Sequence, residues 1–138
     1  SATTADLEEC AGLVMGSPAY FGNMAAPLKF FLAGTVGDWV RGNLAGKPAG
    51  MFASTASLHG GQESALLSMA VPLLHHGMIV VGLPDTEETL STTTSGGTPY
   101  GATHVTWNRK PDSLSDDEKF LAQALGKRVA DLARRLQD

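Results

Sequence analysis

The sequence predicts an α/β fold built on a parallel sheet. Three observations carry this. Short apolar runs of strand length alternate with segments of helical period. One run, MIVVGLP, is β-branched and wholly apolar, as strands buried on both faces are. The chain reads as three similar events followed by a final amphipathic helix, so strands alternate with helices.

The first segment, ADLEEC, reads as a short helix that Thr4 can cap. AGLVMG follows as a strand, and 17–24, SPAYFGNM, reads as the loop that leaves it. A helix is predicted from about Ala25 to Ala33. Pro27 suits its first turn, Leu28, Phe31 and Leu32 form its apolar stripe, and Gly34 ends it. Trp39 falls on the connection that follows. A second strand spans Pro48 to Thr55, its loop is ASLHGGQE, and the next helix is SALLSMAVPLLHH. Pro72 inside that pattern predicts a kink or an opened hydrogen-bond ladder, and Gly77 ends the helix. MIVVGLP is the third strand. The stretch from Asp85 to about Leu114, rich in Thr, Gly and Pro, reads as a long irregular loop, a length that usually signals function. In the last helix, Ser115 and Glu118 make a capping box, and Leu121, Leu125, Val129, Leu132 and Leu136 recur at spacings of 4, 4, 3 and 4.

The chain of 138 residues, 43% hydrophobic, suffices for one domain with its own core. A net charge of −4 argues against a nucleic-acid partner. Lys127, Arg128, Arg134 and Arg135 gather near the end, diluted by Asp131 and Asp138, as on a solvated helix face. Cys10 is the single cysteine, so neither an internal disulfide nor a cysteine-rich zinc site is available, and a cytoplasmic setting is expected. No apolar run reaches the roughly 18 residues that span a bilayer.

In an open parallel sheet, ligands bind beyond the carboxyl ends of the strands. The loops 17–24 and 55–63 and the stretch after Pro84 are therefore expected to open on one side. Tyr20 and Phe21 would offer a flat apolar wall, and Gly22 and Asn23 tolerate left-handed backbone. The 55–63 loop opens a helix and can present free N–H groups, although it matches neither GxxxxGK[ST] nor GxGxxG. His75 and His76 sit about 100° apart on a helix and cannot readily share one metal, so no metal site is expected. They serve either as charge at a helix end or as one side chain reaching a pocket. Tyr100, between Pro99 and Gly101, rests on the surface, closes over a pocket or docks on a neighbouring subunit. No nucleophile elbow is present, so any chemistry falls to a cofactor.

Taken together, GSPAYFGNMAAPLKFFL, STASLHGGQE, LLHHGM and GGTPYGATH resemble, in order and spacing, the WrbA-type flavoproteins. These are flavodoxin-like NAD(P)H:quinone oxidoreductases that bind FMN. The resemblance covers nearly the whole chain and implies a flavodoxin-like open parallel sheet with helices on both faces. It implies a homotetramer and two-electron, ping-pong reduction of quinones by NADH or NADPH. By residue, it implies that Pro18, Ala19, Tyr20, Phe21, Gly22 and Asn23 flank the flavin ring. Ser54, Thr55, Ala56, Ser57, Leu58, His59 and Gly60 would supply contacts around it. His75 would approach the flavin from an adjacent subunit as a proton or hydrogen-bond source, and Trp39 and Tyr100 would line the substrate side.

The chain departs from that pattern in three ways. Tyr20 stands where the family often has Arg, and Leu58 and His59 replace a more glycine-rich run. The family's first strand, Ser-containing phosphate loop, helix and second strand are not in this sequence. Residues 1–138 are then expected to be the C-terminal two-thirds of a single flavodoxin-like domain. Two alternatives remain at this point: an interaction module of the same fold that has lost flavin, and a one-electron flavodoxin carrier.

Overall fold

The computed structural model describes residues 2–106 and 113–137. Helix α1, Thr4–Glu9, opens the chain. Its cap is Thr3 rather than Thr4, because the Asp6 carboxylate accepts from the Thr3 N–H at 2.7 Å and its hydroxyl at 2.9 Å. Strand β1, Leu13–Tyr20, runs through most of the segment expected to be a loop. It turns at Phe21 and Gly22, both at positive φ, into strand β2, Asn23–Met24. The two pair antiparallel, Ala19 with Met24 and Tyr20 with Asn23.

Helix α2, Ala26–Ala33, carries Pro27 in its first turn and buries Leu32, with Leu28 and Phe31 half-buried against the core. A helix absent from the sequence expectation follows, α3, Val36–Arg41, and Trp39 lies on it rather than on a connection. Strand β3, Pro48–Thr55, has the expected bounds. Helix α4, Gln62–His75, continues through Pro72.

The third strand is split. Strand β4 is Ile79–Val80, and strand β5, Ala102–Val105, continues along the same side of β3 after an excursion that includes helix α5, Thr89–Thr92. MIVVGLP is therefore strand only at its start. The stretch expected to be irregular holds a helical turn and a strand, and its 107–112 portion lies outside the described residues. Helix α6, Asp116–Gln137, closes the fold.

The sheet order is β2-β1-β3-β4, with β5 also on β3. All pairings are parallel except β1 with β2. Helices cover both faces. On one, Met15, Met51 and Ala53 pack with Leu66, Met69 and Leu73 of α4. On the other, Gly50 leaves room for Leu125 and Val129 of α6, and Ala102 joins Leu121 and Leu125. The buried stripe of α6 runs Leu121, Leu125, Val129, Ala133, a constant spacing of four, while Leu136 is half exposed. β3 is the central strand, and β1 has no partner beyond the two-residue β2 on its outer edge among the described residues.

Candidate functional site

The carboxyl ends of β1 and β3 lie side by side, Pro18 opposite Ser54. Each releases a tight turn, and the turns touch. A Cβ on Gly61 would stand 2.7 Å from the Gly22 Cα, and one on Gly22 would meet the Ser64 hydroxyl at 2.7 Å. Both glycines hold positive φ, +86° and +72°, so the close approach and the backbone both require glycine. The turn is fixed from beneath by buried Ser17. Its hydroxyl donates to the Pro18 carbonyl and accepts from the Ala25 N–H, each at 2.8 Å.

Above this junction Phe21 stands fully exposed and Tyr20 is 59% exposed. Leu58 and His59 are exposed on the facing loop. The backbones of Ala56 and His59 enter no hydrogen bond among the described residues, while the Thr55 hydroxyl is committed to the Ser57 carbonyl at 2.9 Å. Apolar faces beside unanswered backbone polar groups suit a planar ligand with a polar rim. The residues expected to surround a flavin ring, 18–23 and 54–60, are thus brought together, and what they present fits such a ring.

A cavity of about 580 Å³ continues from Pro18 and Ser54 over the α6 face of the sheet to His104 and Glu118. Glu118 is 2% exposed. Burial raises its pKa, but hydrogen bonds from the N–H groups of Ser115, Val105 and Gly96 and from His104 outweigh that, leaving it at about 2. The His104 Nδ1 lies 2.9 Å from Glu118, and its Nε2 is buried without a partner. The capping box was legible in the sequence. That the same carboxylate also ties β5 to α6 was not, because residues 96, 104 and 105 carry no local sign of it.

Trp39 and His75 lie elsewhere, together. The Trp39 indole N–H donates to the His75 carbonyl at 2.9 Å, and both border a groove that also includes Val36 and Val71. His75 is exposed. Its neighbour His76 is internal. The Thr35 hydroxyl donates to the Leu32 carbonyl at 2.7 Å, so the His76 Nε2–H must donate to Thr35 at 2.8 Å. Burial holds the His76 pKa below its ordinary value against the pull of Asp38. The ring loops meet the start of α4 and His75 ends it, some 20 Å away along a 14-residue helix. Within one chain they do not form one site. Tyr100 is also apart from the ring loops. It precedes β5, where Ala102 pairs with Phe52 in the middle of β3.

Around the Trp39 groove, Phe30, Trp39, Val40, Val71 and Leu74 are all more than half exposed. So large an apolar patch is unusual on an isolated soluble chain.

Residues 1–85 match the family of NADPH-dependent FMN reductases. Among curated proteins, the chain is 45% identical over 138 residues to a protein of Solidesulfovibrio magneticus named NAD(P)H dehydrogenase (quinone), covering 98% of this chain and 68% of the relative. A protein of the same name from Trichlorobacter lovleyi is 44% identical, with coverage of 99% and 68%. Among solved structures, a flavodoxin, WrbA-like protein from Agrobacterium tumefaciens superposes with a TM-score of 0.69. It shares 23% identity, covering 96% of this chain and 71% of that one. The likeness at that identity is one of fold.

Proposed function

The chain belongs to the WrbA-type NAD(P)H:quinone oxidoreductases of the NADPH-dependent FMN reductase family, and on that premise we propose that it catalyses FMN-dependent reduction of quinones by NAD(P)H. The observation that carries the reading is the junction of the 21–22 and 56–61 turns, where a fully exposed Phe21 stands beside unanswered backbone groups at the carboxyl ends of β1 and β3.

Bound there, FMN supplies a two-electron relay, so that NAD(P)H and a proton convert a quinone to its hydroquinone. The chain's own residues hold and orient. Tyr20 and Phe21 offer a flat face, Ala56 and His59 offer backbone dipoles to the ring's polar edge, and the Gly22–Gly61 contact fixes the two loops relative to each other. N–H dipoles set in place beforehand stabilise negative charge without reorganising.

His75 and Trp39 join such a site from a second copy. Their place at the far end of α4, about 20 Å from the ring loops within one chain, and the apolar patch around them support a homotetramer, in which His75 donates a hydrogen bond or proton on the substrate side. Trp39, with Tyr100 of whichever copy borders the ring, walls the quinone. The open outer edge of β1 and the adjoining cavity support completion of the domain by a strand, a Ser-containing phosphate loop, a helix and a second strand. A cytoplasmic setting goes with the single thiol.

The test is a visible absorption spectrum of the full protein after incubation with FMN and desalting. A retained flavin band, bleached by NADH or NADPH and restored by benzoquinone, is the expected result. A protein that retains flavin but fails to pass electrons to benzoquinone refutes the activity. One that retains none refutes the site.

A further inference from the structure

The edge of the sheet remote from β1 carries a second feature. The N–H groups of Ile79 and Val81 donate to the carbonyls of Lys47 and Ala49, at 2.9 and 2.7 Å. Successive residues of a parallel ladder bond to alternate sides, so Val80 between them turns its N–H and C=O away from β3. No strand pairs with β4 on that side among the described residues. This bare edge is one wall of a cavity of about 740 Å³ whose other wall is α6.

The groove has an apolar floor and a rim in which three cations, Lys127, Arg128 and Arg135, outnumber the two carboxylates of Glu87 and Asp131. Ile79 and Phe120 lie on it at 41% and 48% exposure. Lys127, Arg128 and Arg135 stand along it. Asp131 is occupied by Lys127 at 2.6 Å and by Arg134. Arg128 and Arg135 pair with no carboxylate among the described residues. They are seven residues apart, two turns or roughly 10 Å along one face of the helix. In a chain of net charge −4 this is a local reversal of sign.

We propose that this groove binds an extended acidic peptide of a partner protein, which adds to the sheet as a strand beside β4. A peptide backbone answers both the N–H and the C=O of Val80, as an edge strand invites. The side chains of one parity then face α6, where carboxylates meet Arg128 and Arg135, whose guanidinium forks hold them best, and lay their stems on Ile79 and Phe120, while apolar side chains of the other parity extend the opposite face of the sheet. The groove shares no residue with the flavin loops, the Trp39 patch or the β1 edge, so it does not depend on the catalytic reading.

The probe is a fluorescein-labelled peptide alternating Glu with Val and Ile, and a control with Lys replacing Glu, titrated into the full protein. Saturable anisotropy with the acidic peptide is expected, at least tenfold weaker in the Arg128→Glu, Arg135→Glu double variant. That variant should in turn gain affinity for the Lys peptide. Both positions are exposed on α6, so the fold is retained. Hydrogen exchange at the Val80 amide should slow on binding. An acidic peptide that does not saturate, binds the variant equally well, or leaves Val80 exchange unchanged overturns the proposal. So does a charge reversal that splits the protein's own assembly in sedimentation, since a second copy would then occupy the groove.

Discussion

Gly61 is the residue at which backbone geometry and the proposed chemistry meet most directly. At φ +86°, with its Cβ direction 2.7 Å from the Gly22 Cα, it admits no side chain without moving the facing turn. Gly61→Ala is expected to cost about 2 kcal/mol of stability from left-handed strain plus displacement. It should also weaken FMN binding at least tenfold, read by quenching of flavin fluorescence. An unchanged affinity would mean that the two turns do not share a ring. Glu118 makes a different prediction. Its pKa falls from 4.5 in the unfolded chain to about 2 in the fold, so the folded state binds the proton less tightly. Its stabilisation is complete above about pH 4.5 and is lost as pH falls toward 2. The difference is worth on the order of 3 kcal/mol. Urea unfolding at pH 7, 4.5 and 3 should show this loss in the wild type. Glu118→Gln should be less stable at pH 7 and flatter across that range. Parallel curves for the two proteins would rule the linkage out.

At the scale of the element, the hairpin of β1 and β2 is tied by two hydroxyls, Ser17 beneath it and Ser68 of α4, which accepts from the Met24 N–H at 3.0 Å. Ser17→Ala leaves the Ala25 N–H without its acceptor and is expected to cost 1–2 kcal/mol, measured by thermal unfolding. No change would mean that the ladder and the Ser68 hydroxyl hold the turn without it. The sequence read 17–24 as a loop because Gly, Pro and Asn there are turn formers. It takes the neighbouring β3 to keep Ser17 and Pro18 in register as strand. β5 went unforeseen for a related reason. Four residues after a glycine-rich turn have no periodicity to detect, and β3, with half of one side left bare by the two-residue β4, recruits them. Pro72 was expected to kink α4 or open its hydrogen-bond ladder, and the helix runs through it to His75 without the one backbone bond that proline cannot donate. Packing of Leu66, Met69 and Leu73 on the sheet outweighs one missing backbone bond.

For the whole molecule, the apolar patch of α2, α3 and α4 and the separation of His75 from the ring loops belong to one question, that of assembly. Val40→Glu combined with Val71→Glu places charge where each valine is more than half exposed. The double variant should sediment as a monomer while unfolding at a midpoint within a few degrees of that expected for a folded chain. Quinone reductase activity should fall with the loss of assembly. An intact oligomer would place the interface elsewhere. Burying such side chains contributes about 1.5–3 kcal/mol each, enough in sum to hold copies together.

The sequence by itself determined the order of the longer elements, β1, α2, β3, α4, β4 and α6, the parallel character of the sheet, the bounds of β3 and the cap of α6. These follow from local periodicity and from residues with one strong conformational preference. It also located the two turns at the carboxyl ends of β1 and β3, because turn formers beside exposed aromatics are visible without neighbours. Only the tertiary structure decided that Gly22 and Gly61 meet, that Glu118 binds β5 as well as its own helix, that His76 is internal while His75 is exposed, and that His75 and Trp39 lie a helix-length from the ring loops. Each of these is a contact between residues far apart in the chain. It is fixed by how α4 and α6 pack on β3, and a linear pattern holds no record of such packing.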